Sequence, residues 1–230
     1  MLTLEALDIR QDAFRLTADF TVETGALVAV VGPSGAGKST LFSVIAGFFA
    51  PVSGRVLWNG TDISDAAPGD RPLSIVFQDN NLFPHLTTFQ NVALGVKPSL
   101  QLTDAESEHV RNALARVGLQ GMEGRKPAAL SGGQQSRVTL ARAMVRSRPL
   151  ILLDEPFAAL GPALRVEMLD LVAELVRAEG ATLLMVTHHP ADALRIADQT
   201  VVVAEGVAEA PVSTEALFDN PPQALRDYLG

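Results

Sequence analysis

Ala26-Leu27-Val28-Ala29-Val30-Val31-Gly32-Pro33-Ser34-Gly35-Ala36-Gly37-Lys38-Ser39-Thr40 is the stretch on which the reading of this chain turns. Its first six residues are apolar at every position, as in a strand buried on both faces of a parallel sheet. Gly32 to Ser39 then satisfies the glycine-rich pattern that ends in Lys-Ser and opens a helix. Glycines at this spacing let the loop curl until successive backbone N–H groups point inward, and the helix expected from Lys38 to Ala46 adds its positive end. Lys38 is placed to reach the β- and γ-phosphates of a nucleotide, and the Ser39 hydroxyl to ligate Mg²⁺, with Thr40 completing the loop. Strand, loop and helix in this order predict an α/β fold that grips a nucleotide by its phosphates.

The flanking sequence extends that fold. Leu2 to Val22 alternates as antiparallel strands do, and further strands are expected at Arg55 to Trp58 and Ser74 to Phe77. From Asn80 to Ser147 the pattern turns helical. Thr103-Asp104-Ala105-Glu106 has capping-box spacing and opens a helix to about Val117, and another helix follows Ser131. Strands resume at Leu150 to Leu153, Thr182 to Val186 and Thr200 to Val203. Between the first two of these, Pro162 suits a first helical position, Gly180 a helix end, and Leu164, Met168, Leu171, Val172, Leu175 and Val176 form one apolar stripe. The expected organisation is an α/β core over residues 1–79 and 148–230, with an antiparallel β subdomain and an inserted helical subdomain over residues 80–147.

Composition narrows the partners. The chain has 230 residues and a formal net charge of −8, which disfavours nucleic acid because a phosphate backbone wants a basic footprint. A nucleotide needs only local donors and stays compatible. With no cysteine, disulfides and thiolate metal sites are excluded, and a reducing compartment is expected. The start lacks the basic and apolar parts of a secretory signal, and the longest apolar runs fall far short of a membrane span. Any membrane contact is therefore expected through another protein.

Three further segments carry chemistry. Leu150-Ile151-Leu152-Leu153-Asp154-Glu155-Pro156 is an apolar strand ending in two carboxylates, at the end of an open α/β sheet where ligands sit. Asp154 is positioned to hold Mg²⁺ and Glu155 to polarise an attacking water. Leu130-Ser131-Gly132-Gly133-Gln134-Gln135 opens a helix with a hydroxyl and free N–H groups, a second anion-binding end. Val186-Thr187-His188 leaves a buried strand with a histidine just past it.

These motifs, with Gln78 in Val76-Phe77-Gln78, occur in the order found in the ABC ATPase family, which the chain resembles over almost its whole length. The resemblance implies a phosphate-loop NTPase core of ABC type that binds ATP and Mg²⁺ and hydrolyses ATP. It implies two copies facing head to tail, each ATP lying between one phosphate loop and the partner's Ser131, Gly132, Gly133 and Gln134. It assigns Glu155 to the lytic water, His188 to the γ-phosphate, and Gln78 to Mg²⁺ and the water. Adenine would stack on an aromatic before the loop, and Phe14 is the one nearby. His189 falls outside the site, and His85 and His109 are expected at the surface.

The same resemblance points to an importer subunit on the cytoplasmic face of a bacterial inner membrane, with transmembrane permease subunits as partners and a periplasmic solute-binding protein acting indirectly. A soluble ABC ATPase acting on DNA or ribosomes fits less well. No coiled coil separates the motifs, and the chain holds one ATPase unit. Ala46-Gly47-Phe48, the run Phe77 to Phe83, Leu94-Gly95-Val96 and Leu183 to Val186 resemble the thiamine-importing branch, while iron, molybdate and polyamine importers stay open. Asn80-Asn81-Leu82-Phe83 would line the groove that receives the permease. Four positions depart from the family pattern: Gly161 replaces an aspartate at the copy-to-copy loop, Gln135-Ser136 replaces a basic-glutamine pair, and Ala129 replaces a glutamate.

Overall fold

Residues 1–79, 81–223 and 225–226 are described by a computed structural model. Asn80, where the helical insertion was expected to begin, lies outside them. The elements run β1 (Leu2–Gln11), β2 (Phe14–Val22), β3 (Leu27–Val31), α1 (Lys38–Ala46), β4 (Ser53–Trp58), β5 (Thr61–Asp62), β6 (Leu73–Val76), α2 (Thr88–Val96), α3 (Asp104–Arg116), α4 (Gly132–Met144), β7 (Leu150–Asp154), α5 (Pro162–Glu179), β8 (Thr182–Val186), α6 (Pro190–Ile196), β9 (Gln199–Ala204), β10 (Val207–Ala208), β11 (Val212–Ser213) and α7 (Thr214–Asp219).

The strands form one mixed sheet in the order β5-β4-β1-β2-β10-β9-β3-β8-β7-β6, with β11 paired to β9. From β9 to β6 every pairing is parallel. The runs Leu27–Val31, 150–153, Thr182–Val186 and 200–203 are buried throughout, whereas the edge strand β6 leaves Ile75 half-buried and is followed by an exposed Phe77. Alternate residues serve opposite faces. In β8, Leu183 and Met185 join the core beneath the helices α2 to α5, whereas Leu184 and Val186 join the core beneath α1, β1 and β2. A strand between two cores has no face left for polar residues, and so it reads as continuous hydrophobicity.

The amino-terminal strands pair antiparallel, β1 between β2 and β4. Leu4 and Leu7 are both buried although three residues apart. A bulge reconciles them: Ala6 takes φ 46°, and both pairings shift register around it. The extra residue turns the alternation by one, so Ile9 also faces inward.

Helices α2, α3 and α4 all lie between β6 and β7 in the chain. Thr103 caps α3 as its spacing predicts: its hydroxyl accepts from the Glu106 N–H at 3.2 Å, while the Thr103 N–H donates to the Glu106 carboxylate at 2.7 Å. Helix α5 begins at Pro162 and is closed by Gly180 at φ 61°. Its buried face is Met168, Leu169, Val172, Leu175 and Val176, with Leu164 and Leu171 at the margins. That face binds the helical insertion to the sheet, reinforced by an Arg116–Glu179 pair from α3 and an Arg137–Glu167 pair at 2.5 Å from α4. Such exposed pairs contribute little individually; the apolar face dominates.

One buried cation escapes any sequence pattern. Arg71 is 1% exposed and donates to the carbonyls of Val44 at 2.8 Å, Ile45 at 2.7 Å, Ala66 at 3.0 Å and Ser64 at 2.6 Å. Two of these belong to the last turn of α1, whose carbonyls have no partner within the helix. The guanidinium thus closes the end of the helix that starts at the phosphate loop.

Candidate functional site

The parallel strands end level, and this brings the chemistry together. Val186 at the end of β8 lies opposite both Val30 of β3 and Asp154 of β7. The residues that follow, Gly32 onward, Glu155 and His188, therefore emerge at one edge of the sheet. Glu155 N–H donates to the Val186 carbonyl at 3.1 Å, and Thr187 N–H to that of Val30 at 3.2 Å, extending the ladder one step past each strand. A cleft of about 250 Å³ results, lined by Gln11, Phe14, Ser34, Gly35, Lys38, Ser39, Thr40, Glu155 and His188 among others.

The loop geometry needs its glycines. Gly32 has φ 147°, and a Cβ there would stand 2.0 Å from the Val203 carbonyl oxygen of β9. Gly37 has φ 102°, and a Cβ there would stand 2.3 Å from the Phe14 ring. Phe14 therefore touches the loop and lines the cleft while packing on the core at its other side. It pairs across the β1–β2 turn with Gln11, which also lines the cleft. Sequence reasoning missed Gln11, because only the hairpin register places it there.

Lys38 is buried at 5% exposure, with its ammonium donating to the carbonyls of Gly32 and Pro33, both at 2.8 Å. Burial lowers its pKa, and the nearby carboxylates of Glu155 and Asp154 pull it back up. Burial raises the pKa of Asp154, against the opposing pull of the Ser39 hydroxyl and of Lys38. The Oδ1 of Asp154 is buried with no hydrogen-bond partner. An orphaned carboxylate oxygen beside a serine hydroxyl suits Mg²⁺, which takes one or two protein oxygens and leaves its other positions to water and phosphate. Among the described residues no group of three or more histidines and carboxylates could hold a metal alone. The donor set therefore fits a cation shared with a phosphate ligand.

Glu155 adopts φ 48°, a left-handed backbone uncommon outside glycine. That turn aims its carboxylate back at the cleft, where Oε1 meets the Nε2 of His188. His189 stands exposed and outside the cleft lining, as do His85 and His109.

Other expected residues lie apart. Gln78 is exposed beyond β6 and does not line the cleft. Val76 pairs with Leu153, so Gln78 emerges at the same sheet edge one strand farther out. Ser131 and Gly132 are exposed at the start of α4, also away from the cleft. The Ser131 hydroxyl accepts from the Gln134 N–H at 3.3 Å, and the Ser131 N–H donates to the Gln134 side chain at 3.0 Å. Gly133 is buried against Leu164 of α5. The unusual Gln135-Ser136 pair makes only local bonds, Gln135 to the carbonyls of Pro127 and Leu130 and Ser136 to that of Gly132. Gly161 precedes α5 without a side-chain cap.

A larger groove of about 410 Å³ opens on another face, between the sheet and the helical insertion. Phe48, Phe77, Phe83, Arg142 and Arg146 are among its lining, and Phe48 is 55% exposed. No helix among the described residues is long and apolar enough to cross a membrane.

Residues 17–158 match the ABC transporter family. The thiamine import ATP-binding proteins of Cereibacter sphaeroides and of a Ruegeria species are each 57% identical to this chain over 230 residues, covering 100% of both chains. That of Brucella suis is 54% identical over 213 residues, covering 92% of this chain and 88% of the relative. Among solved structures, the dimeric post-hydrolysis state of the ATP-binding cassette MJ0796 bound to ADP and Pi superposes with a TM-score of 0.78. It is 26% identical and covers 93% of this chain and 99% of its own.

Proposed function

The chain belongs to the ABC transporter family, and from that premise we propose that it hydrolyses ATP to energise a membrane importer of thiamine. Identity of 57% along the complete length of proteins named for thiamine import carries the substrate. The cleft supports the reaction. It combines a phosphate-binding loop, a buried lysine, an orphaned carboxylate oxygen and a Glu155–His188 pair.

In this reading Phe14 takes the adenine ring, and the loop from Gly32 to Thr40 holds the phosphates on its N–H groups. Lys38 exchanges its bonds to the Gly32 and Pro33 carbonyls for phosphate oxygens. Ser39 and Asp154 would hold Mg²⁺, with Gln78 as a further ligand. When bound, Mg²⁺ offsets the negative charge that spreads over the phosphate oxygens in the transition state. Glu155 orients water and accepts its proton as the water oxygen bonds to the γ-phosphorus and the bond to ADP breaks. His188 steadies Glu155 and the departing phosphate.

Ser131 to Gln134 lie outside the cleft of their own chain, which supports their service to a second copy. Two head-to-tail copies would then close two sites, a reading supported by the dimeric neighbour. The groove beside Phe48 and Phe83 is the docking place for a transmembrane permease subunit, which sets the chain at the cytoplasmic face of the inner membrane. A periplasmic binding protein acts through that permease.

The test is turnover in the reconstituted assembly. Thiamine-loaded binding protein should raise ATP hydrolysis, whereas binding proteins loaded with iron, molybdate or polyamine should not. Stimulation by another solute and none by thiamine would reject the substrate.

A further inference from the structure

Thr187 and Asp192 form a buried clasp around the turn that carries His188. Thr187 is 4% exposed and Asp192 8%. The Thr187 hydroxyl donates to Asp192 Oδ2 at 2.8 Å and accepts from the His189 N–H at 3.1 Å. The Asp192 N–H donates to the His189 carbonyl at 3.0 Å. Three bonds thus close the six-residue turn from Thr187 to Asp192 on both sides of His188. The Thr187 N–H reaches the Val30 carbonyl at 3.2 Å and ties the clasp to β3, the strand that feeds the phosphate loop.

An acid in the first turn of a helix commonly just balances the helix dipole or caps its N–H groups. Asp192 does something else. It stands at the third position of α6, whose preceding residue His189 makes no side-chain cap, and its carboxylate reaches past that residue to Thr187. His188, by contrast, is part-exposed, its side chain 31% accessible, and reaches Glu155 across the cleft. A part-exposed imidazole on an unsupported turn would sample several positions, and small displacements of a catalytic group are costly.

We propose that Thr187 and Asp192 are positioning residues that hold the His188 turn so that its imidazole stays against Glu155. The proposal rests on the catalytic reading of His188 given above. Neither residue touches the nucleotide in this scheme, so loss of the clasp should lower kcat and leave nucleotide affinity intact.

The full-length chain with Mg²⁺ and ATP suffices for the test. Thr187→Val and Asp192→Ala each break the clasp, whereas Thr187→Ser and Asp192→Asn keep a donor and an acceptor in place. The breaking variants should lose about tenfold to a hundredfold in kcat. Affinity for a non-hydrolysable ATP analogue should change less than twofold, and the conservative variants should recover most of the loss. Asp192→Ala added to His188→Ala should cost no more than His188→Ala alone, because both act through one side chain. The His188 ring resonance in NMR spectra should shift in the breaking variants and return in the conservative ones. Multiplicative losses in the double variant, or an unmoved resonance, would overturn the clasp. Should His188→Ala itself turn over normally, the catalytic reading fails instead, and the resonance alone then decides the clasp.

Discussion

Glu155 and His188 meet across the ends of neighbouring strands, carboxylate Oε1 against imidazole Nε2. Register makes the meeting unavoidable. Asp154 pairs with Val186, so the residue after β7 and the second residue after β8 leave the sheet side by side. The left-handed backbone at Glu155 then turns its side chain toward the phosphate loop, at a cost of roughly 1–3 kcal/mol that the surrounding structure must offset. Strain at this one residue is what aims its carboxylate into the cleft, against His188.

Glu155→Gln removes the proposed proton acceptor while preserving size and the ability to face His188. ATP affinity should stay within about twofold, and hydrolysis should fall at least a hundredfold, the scale expected for loss of a general base. With the proton acceptor gone, ATP should hold two copies together. Size-exclusion chromatography with Mg²⁺ and ATP should show a dimer for the variant, and wild-type turnover by the variant would exclude Glu155 from the chemistry.

Asp154 gives a prediction with a definite sign. Its carboxyl pKa is raised on folding by burial, so the folded state binds the proton more tightly than the unfolded chain. Stability is therefore fully present below the ordinary carboxylate pKa and is lost as pH rises from there through the raised value of the folded state. Asp154→Asn carries no charge to bury. Without nucleotide it should melt above wild type at neutral pH, and the difference should shrink at low pH, where Asp154 is protonated. The thermal upshift given by Mg²⁺ and ATP should nearly disappear in the variant, since a stabilising ligand acts only through its binding. Melting curves at two pH values, with and without Mg²⁺ and ATP, check both parts.

What the sequence displays and what it hides follow from the range of the interactions. The phosphate loop, the Asp154-Glu155 strand end and the Thr103 cap are contiguous, and each residue's neighbour in the chain is its neighbour in space. The parallel strands declare themselves because both faces are buried. Gln11 is invisible by comparison, since a hairpin register alone turns it toward the loop. Arg71 reads as a surface arginine, because its partners Val44 and Ile45 are carbonyls 27 and 26 residues away and leave no side-chain signature. Asp192 hides for another reason: an acid early in a short helix is common, and only the contact with Thr187 separates it from an ordinary cap. The bulge at Ala6 breaks alternation in a segment still legible as strand.

Arg71→Met tests how much a hidden cation supports the site. The variant keeps an apolar stem of similar length but removes the Arg71 donor from the carbonyls of Ile45, Ser64 and Ala66, and leaves Val44 with the Gly47 N–H alone. Losing charge-assisted bonds to buried acceptors should cost about 3 kcal/mol or more. For a chain of this size that corresponds to a drop of roughly 6–12 °C in melting midpoint. ATP affinity should fall less than stability does, because α1 keeps its loop end. A midpoint within 2 °C of wild type, measured by calorimetry as about the smallest shift worth interpreting, would show that water replaces Arg71 without penalty.

The separation of Ser131 from the cleft of its own chain can be tested with two broken copies. Lys38→Ala disables the phosphate-loop half of a site, and Ser131→Arg fills the opposite half with a bulky cation. Each variant alone should be inactive, since every site in a homogeneous dimer carries the lesion. In a mixed dimer both lesions fall in one site, and the other pairs an intact loop with an intact Ser131. Random mixing makes half the dimers mixed, with one working site in two, so turnover should recover to roughly a quarter of wild type if the sites act independently. Recovery should track protein concentration, because it depends on the encounter of two chains. If instead each chain completed its own site, both lesions would stay where they were made, and the mixture would be no more active than its components.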